Sequence, residues 1–358
     1  MIGKLLKSVG ISDENIGKSA FLNSLLPDYV PWMPSSFIVS ITNKCNYKCV
    51  MCCIGSGDIE RMNMDREVFR RASRYFKNKS VTFVGGEPLL HPDLLEFLQI
   101  YHFANARVNI VTNGSLLTEG WVDTLTQFPN LTLTISIDGV GDNYNRIRVN
   151  GNFETVIKNL KRINRKDLVS VNLVGMKSNI DDLPKLIEIV GDYVNSVQVV
   201  HPLCYSQDIA DQHLNRDIGH ANGIFRESIA IATEYNVRLT LPNFKPRARG
   251  CINPWALPII GLGGDVYPCH ILVGSDQRKP VPEYYEGTCV TPPVYTSMGN
   301  IMESDFMQIW NGKKMRQFRR ELRRISVSSL KSDENYVELR GDYTNYCQIC
   351  PSRWGVAC

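Results

Sequence analysis

The sequence predicts an α/β fold, in which a partial (β/α)6 TIM-like barrel is followed by a small cysteine-rich domain. β-rich runs alternate with amphipathic helical runs up to about residue 201, and after residue 242 proline, glycine and cysteine become frequent. This alternation is typical of right-handed βαβ units and a parallel sheet. Six units close only part of a barrel, so we expect a lateral opening. The predicted division is an N-terminal extension at 1–35, the barrel at 36–242 and the C-terminal domain at 243–358.

Short runs rich in β-branched residues are the predicted strands. In chain order they are SFIVSIT (36–42), SVTFV (80–84), RVNIVT (107–112), LTLTISI (131–137), VSVNLVG (169–175) and SVQVV (196–200). The predicted helices are DREVFRRASRYF (65–76), HPDLLEFLQIYHF (91–103), NFETVIKNLKRI (152–163), DDLPKLIEIV (181–190) and GHANGIFRESIAIATEY (219–235). Asp65 is the expected cap of the first helix.

Composition sets the broad class of the protein. A chain of 358 residues with 43% hydrophobic residues can bury a large core. It has neither an apolar run of about 18 residues nor a secretory signal, so we expect a cytoplasmic protein that spans no membrane. Eleven cysteines, an odd number, argue against a disulfide framework and for metal ligation or redox chemistry. The net charge of +4 says little about partners, because bound metal centres would change it.

Three cysteines follow the first strand in a C-x3-C-x2-C array. They are Cys45, Cys49 and Cys52 in TNKCNYKCVMCC, with Cys53 left over. The carboxyl ends of barrel strands are where active sites are built. A structural zinc site needs four ligands, whereas three thiolates suit a 4Fe-4S cluster with one open iron. Structural zinc or inert thiols are the alternatives.

A second motif, VGGEPLLHP (84–92), ends the second strand. Gly85 and Gly86 would let a ligand approach the backbone closely. Glu87 offers an acceptor for an ammonium group. The alternative is a tight strand-to-helix turn with an incidental acid.

Together these motifs resemble the radical S-adenosylmethionine (radical SAM) superfamily. The resemblance continues through TNG (112–114), SIDG, YNRIRVNGNFETVIKNL and VNLVGMKSNIDDLPKL, and covers about residues 36 to 201. It implies that Cys45, Cys49 and Cys52 hold a 4Fe-4S cluster whose open iron binds S-adenosylmethionine. Reductive cleavage would then release a 5′-deoxyadenosyl radical that abstracts a hydrogen atom from substrate. An electron donor such as flavodoxin or ferredoxin is expected.

The resemblance also implies how the cosubstrate is bound. Gly85, Gly86 and Glu87 would hold its methionyl amino group. Ser136 and Asp138, after the fourth strand, are expected ribose partners, and Asn113 is a weaker candidate. Cys53 has no counterpart in the motif, so we expect it to have no role.

A second group of cysteines lies in the C-terminal part. Cys251 and Cys269 flank IIGLGGDVYPC, which is predicted to form a hairpin that turns at 263–264. CQIC adds Cys347 and Cys350. From spacing alone, these four thiolates would hold zinc or an iron-sulfur cluster.

This region resembles the SPASM and twitch extensions of radical SAM enzymes. The resemblance implies one auxiliary 4Fe-4S cluster on four thiolates, those of Cys251, Cys269, Cys347 and Cys350. The chain departs from the full SPASM pattern of seven cysteines, because only six remain from residue 251 onward. Cys358 could displace one of the four ligands, and a second cluster that uses Cys289 and Cys358 is the alternative.

Two residues just after the sixth strand are candidates for chemistry. Cys204 would donate a hydrogen atom in an epimerisation, and His201 would act as the base in a dehydrogenation. The alternatives are a buried apolar cysteine and a histidine that only satisfies backbone groups. Arg146 and Arg148 would either bind a substrate carboxylate or phosphate or pair with acids at the rim.

Three functions remain open. The favoured one is oxidation or epimerisation of a small polar metabolite such as a sugar, cyclitol or aminoglycoside. About 35 residues precede the first strand, too few for the leader-binding domain of many peptide maturases, so modification of a peptide or protein is the second hypothesis. A noncatalytic iron-sulfur or zinc protein is the third. KKMRQFRRELRR (313–324) is expected to be the solvated face of a helix, and nucleic acid is an unlikely partner.

Overall fold

The computed structural model describes residues 26–52, 54, 59–203, 206–242, 244, 253–269, 273, 283–285, 288–290 and 297–331. The strands are β1 (Ser36–Thr42), β2 (Lys48–Cys49), β3 (Ser80–Gly85), β4 (Arg107–Thr112), β5 (Leu131–Ser136), β6 (Arg148–Val149), β7 (Val169–Val174), β8 (Ser196–Val200), β9 (Arg238–Thr240), β10 (Ile259–Ile260), β11 (Val266–Tyr267), β12 (Glu283–Tyr285) and β13 (Thr288–Val290). A nine-stranded sheet has the order β11-β10-β1-β3-β4-β5-β7-β8-β9. Adjacent strands of this sheet pair in parallel, except for β10 and β11, which pair antiparallel.

The predicted α/β fold with a largely parallel sheet is confirmed. Each of the six predicted strands is present and ends within one residue of its expected bounds. Successive residues of β7 alternate between buried and less buried positions, and its Val169, Val171 and Leu173 are fully buried. This alternation places one side of β7 in the core.

The helices of the described residues are α1 (Arg66–Ser73), α2 (Leu94–Phe103), α3 (Glu119–Thr126), α4 (Gly141–Ile147), α5 (Phe153–Lys161), α6 (Leu183–Val190), α7 (Gln207–Asp211), α8 (Ile218–Glu234), α9 (Asn253–Ala256), α10 (Phe306–Trp310) and α11 (Lys313–Lys331). The predicted cap of α1 is confirmed, since the Asp65 side chain accepts a hydrogen bond from Glu67 N at 2.7 Å. None of these helices is long and apolar enough to cross a bilayer.

The predicted hairpin after Cys251 is present, with an addition that the sequence did not indicate. β10 and β11 pair antiparallel around Gly264, whose φ is +90°. β10 also pairs in parallel with β1, through Ile38 and Ile259. The hairpin therefore extends the barrel sheet across the predicted boundary at residue 243. The C-terminal helices join the same core, where the rings of Phe37 and Phe306 lie 5.3 Å apart.

The basic run in α11 is only partly a solvated face. Arg319 is fully buried, its Nε donates to Pro254 O at 2.7 Å, and its guanidinium lies 4.4 Å from the Trp310 ring centre. Burial lowers the pKa of Arg319 to about 9, although Asp28 opposes the shift. This arginine connects α11 to the segment before β1 and to α9.

Candidate active site

A cavity of about 570 Å³ lies where β1, β3, β4 and β5 end. The carboxyl ends of parallel strands are the usual place of an active site in barrels. The cavity brings together seven predicted site residues, namely Cys45, Cys49, Cys52, Gly85, Gly86, Asn113 and Ser136. Residues without a predicted role also line it, among them Lys44, Lys48, Arg61 and Thr112. The two lysines immediately precede Cys45 and Cys49, which are predicted ligands, and this position was their only signal in the sequence.

The loop that carries the three cysteines is fixed by backbone contacts. β2 pairs antiparallel with β6, so that Cys49 lies opposite Arg148. Tyr47 N donates to Cys45 Sγ at 3.4 Å, and Cys52 N donates to Cys49 O at 3.1 Å. Among the described residues, no three His, Cys, Asp or Glu side chains form a group that could hold a single metal ion. Three thiols around a cavity fit a cluster better than a zinc ion.

The thiols are electrostatically coupled to their surroundings. Burial raises the pKa of Cys49 to about 12, and Arg148, whose Nη1 lies 3.8 Å from Cys49 Sγ, opposes this rise. Burial also raises the pKa of Cys45, while the Tyr47 N–H lowers it. Both shifts favour the protonated form of Cys45 and Cys49 when no metal is bound. Thiolate ligation must then release protons.

The two glycines are required by the backbone of the cysteine loop itself. A Cβ on Gly85, whose φ is +139°, would lie 1.8 Å from Thr42 O, and a Cβ on Gly86 would lie 2.1 Å from Lys44 O. Gly86 N donates to Thr42 O at 2.7 Å, and Glu87 N donates to Lys44 O at 2.7 Å. The motif thus connects the end of β3 to the start of the cysteine loop.

Gly85→Ala is expected to destabilise the fold by about 2–4 kcal/mol, because the new Cβ has neither space nor an allowed φ. Thermal unfolding of the anaerobic protein would measure this. Gly120→Ala is the matched control, since no atom lies within 4 Å of its Cβ position and α3 tolerates alanine. Equal melting temperatures of the two variants would contradict the steric argument.

Glu87 is fully buried and connects two strand ends. Its Oε1 accepts hydrogen bonds from Thr112 Oγ1 at 2.7 Å and from Leu89 N at 3.1 Å, and its Oε2 accepts one from Asn113 N at 2.7 Å. Burial raises the pKa of Glu87, and these donors oppose the rise. Among the described residues Glu87 does not line the cavity, so its contact with an ammonium group stays a prediction.

Asn113 connects the cysteine loop to the turn after β4. Its Nδ2 donates to Asn46 Oδ1 at 2.9 Å, and its Oδ1 accepts from Ser115 N at 2.9 Å. Asn46 in turn donates to Ser115 Oγ at 2.9 Å. These contacts position the loop, while Asn113 also lines the cavity.

Asp138 and Arg148 form a buried ion pair. Both Nε and Nη2 of Arg148 lie 2.6 Å from Asp138 Oδ2, and Asp138 Oδ1 accepts from Val174 N at 2.7 Å. Burial lowers the pKa of Arg148, but Asp138 and Cys49 raise it above its usual value. Arg148 thus pairs with an acid, one of its two expected roles, and also lines the cavity. Both oxygens of Asp138 are engaged and the residue is fully buried, so this geometry does not support its predicted ribose contact.

His201 follows β8, fully buried and stacked on His213 with ring centres 4.5 Å apart. It does not line the cavity among the described residues, so this geometry gives no support to its predicted role as a base. Burial, the neighbouring His201 and Arg216 together lower the pKa of His213 to about 3. Its Nδ1 accepts from Asn215 N at 3.2 Å, which fits a neutral ring.

Acid is expected to destabilise the protein through His213. Its folded pKa lies below the unfolded value, so the unfolded chain binds more protons between about pH 3 and 6.5 and stability falls as pH falls through that window. The loss is about 2 kcal/mol between pH 7 and pH 5. His213→Asn, which retains an acceptor for Asn215, should remove this slope in urea unfolding. The exposed His102→Asn control should retain it, and identical slopes would contradict the assignment.

Several predicted residues lie outside the described ones. These are Cys204 and four cysteines of the C-terminal region, Cys251, Cys347, Cys350 and Cys358. Cys269 is half-buried just after the hairpin, and Cys289 lies in β13. The predicted auxiliary cluster and the predicted hydrogen donor therefore stay predictions.

Comparison with known proteins identifies the family. Residues 39–190 match the Radical SAM superfamily, and residues 251–351 match the SPASM iron-sulfur cluster-binding domain. The chain belongs to the radical SAM superfamily. The Radical SAM domain implies a 4Fe-4S cluster and S-adenosylmethionine, and the SPASM domain implies auxiliary iron-sulfur binding. The three thiols around the cavity fit the binding of this 4Fe-4S cluster.

Relatives of this radical SAM protein are distant. A probable GTP 3′,8-cyclase of Methanocaldococcus jannaschii is 28% identical over 50% of the chain, which spans 63% of the cyclase's length. The antilisterial bacteriocin subtilosin biosynthesis protein AlbA of Bacillus subtilis is 22% identical over 89% of this chain and 67% of its own. The structure of Streptococcus suis SuiB bound to precursor peptide SuiA has a TM-score of 0.63 at 17% identity, covering 88% of this chain and 76% of SuiB. The likeness to SuiB shows a shared fold.

Proposed function

We propose that this radical SAM enzyme modifies a peptide, and that Cys45, Cys49 and Cys52 are the ligands of its cluster. The observation that supports the ligand assignment is the convergence of the three thiols on one cavity at the strand ends. A cluster and S-adenosylmethionine bound there would supply a 5′-deoxyadenosyl radical that takes a hydrogen atom from substrate. A flavodoxin or ferredoxin is the proposed electron donor.

The surrounding residues would hold the loop and the cosubstrate in place. The N–H groups of Gly86 and Glu87 donate hydrogen bonds to backbone carbonyl groups at the start of the cysteine loop. These bonds fix the position of that loop relative to β3. Ser136 lines the same cavity and is the proposed ribose partner. Asp138 would act by orienting Arg148, whose guanidinium reaches Cys49. We propose that Cys251, Cys269, Cys347 and Cys350 hold the auxiliary cluster in the 243–358 domain.

The choice of a peptide rests on the comparisons. AlbA, which aligns over 89% of this chain, is named for the biosynthesis of a bacteriocin. This reverses the order of the two hypotheses from sequence, in which a sugar or cyclitol came first. The small metabolite remains the second hypothesis, and oxidation or epimerisation is the chemistry it would undergo.

The substrate class can be tested with reduced, reconstituted protein and S-adenosylmethionine under anaerobic conditions. Extract of the cells that make the protein would be divided, and one half digested with a protease that is then inhibited. We expect undigested extract to stimulate 5′-deoxyadenosine formation and the digested half to lose that stimulation. Cys49→Ala protein is the blank. Stimulation that survives digestion would reject the peptide and favour the small metabolite.

A further inference from the structure

The charged residues among the described lining of the cavity are all positive. Four of them are cationic, namely Lys44, Lys48, Arg61 and Arg148. None of the described residues that line it is an aspartate or glutamate. A cleft lined by one sign of charge concentrates ligands of the opposite sign.

Within the described chain, only one of these cations is neutralised by a carboxylate. Arg148 pairs with Asp138 at 2.6 Å. Arg61 donates to the neutral carbonyl of Asn43 at 2.8 Å. Lys44 and Lys48 are exposed and form no ion pair with a described carboxylate. Among the described residues, the positive charges of Lys44, Lys48 and Arg61 therefore have no carboxylate partner.

The proposed cofactors would not remove this excess. A 4Fe-4S core with two positive charges and three thiolate ligands carries one negative charge. S-adenosylmethionine carries one positive charge at neutral pH, since its sulfonium and ammonium groups outnumber its carboxylate. The two cancel while the cluster is oxidised, and reduction adds one negative charge. At least two of the three positive charges of Lys44, Lys48 and Arg61 are therefore available to the substrate.

The rim beside these lysines also offers apolar contact. Lys48 pairs directly with Val149 across the β2–β6 ribbon, and opposite residues in such a pair share a face. Val149 is 39% exposed and Val50 is 46% exposed. A free anion would gain nothing from these valines, whereas a peptide with acidic and aliphatic residues would contact both features.

We infer, on the basis of the proposed function, that the site selects an acidic peptide segment in which carboxylates contact Lys44 and Lys48 and aliphatic side chains contact Val50 and Val149. The acids would flank the residue that reacts. Contacts of this kind between exposed charges speed association and add modestly to affinity. They should therefore weaken strongly with salt.

The test uses anaerobic, cluster-loaded protein with S-adenosylmethionine and reads binding by fluorescence anisotropy. The probes are a fluorescein-labelled twelve-residue peptide that alternates Glu and Val, and its Gln–Val counterpart. We expect the Glu peptide to bind about tenfold more tightly at low salt, with the difference lost at high salt. Lys44→Gln/Lys48→Gln should remove this preference. Lys77→Gln/Lys79→Gln, at the opposite end of β3, is the control with the same charge change and should not.

The outcomes separate the inference from the proposed function. Equal binding of the two peptides would overturn the acidic preference and leave the peptide proposal standing. Loss of the preference in the control as well would show a general charge effect and overturn the assignment to these lysines. A second probe is glucose 6-phosphate against glucose. If glucose 6-phosphate binds in a lysine-dependent way and neither peptide binds, the inference that a peptide segment occupies the site is overturned.

Discussion

Cys49→Ala is expected to lower 5′-deoxyadenosine formation by about 100-fold or more. Even outer contacts of metal sites cost about 10- to 100-fold when removed, and Cys49 is a proposed direct ligand. The variant should also lose the visible absorbance and most of the iron of the three-cysteine site. Liquid chromatography of the reduced protein with S-adenosylmethionine measures 5′-deoxyadenosine formation. Absorbance and iron content are measured on the same sample.

Cys53→Ala is the control for this prediction. Cys53 is adjacent to Cys52 in sequence, but the array gives it no role. The control should therefore retain activity and iron. Full activity of Cys49→Ala would refute the ligand assignment. Equal loss in Cys53→Ala would show that the spacing had been assigned to the wrong thiols.

Arg148→Met should destabilise the protein by about 3–5 kcal/mol, because it leaves the fully buried carboxylate of Asp138 without its partner. Urea unfolding under anaerobic conditions measures the loss. Arg146→Met is the matched control, since Arg146 is exposed and its described contact is with Asn143. It should cost less than about 0.5 kcal/mol.

The double variant Asp138→Asn/Arg148→Met separates the ion pair from simple loss of packing. Removal of both charges should restore part of the stability that Arg148→Met loses, because no unpaired buried charge remains. If the double variant loses as much stability as the two single variants together, the two residues are not coupled, and the ion pair is contradicted.

The sequence predicted the barrel strands well because each is a short β-branched run, such as RVNIVT in β4. Helices α3 and α4 were missed, since EGWVDTLT and GDNYNRI are short and polar and lack a long apolar stripe. The pairing of β10 with β1 was also missed. It joins segments far apart in the chain, and two-residue strands carry no periodic pattern.

At the site, the sequence predicted which residues gather but not what each side chain contacts. The cysteine spacing and the strand ends were enough to place Cys45 and Gly85 together. Burial is not visible in a motif, so Glu87 and Asp138 were expected to contact ligands, although their oxygens contact protein donors. The close approach of Gly85 to Thr42 is likewise a tertiary contact, which a motif does not reveal.

The place of β1 in the sheet bears on how the chain folds during synthesis. β1 lies between β3 and β10, so its second edge is completed only after the ribosome has made residue 260. Until then a nascent chain presents an open strand edge directly before the cysteine loop, and such edges pair readily with other chains. Pairing of β10 with this edge thus competes with aggregation during translation.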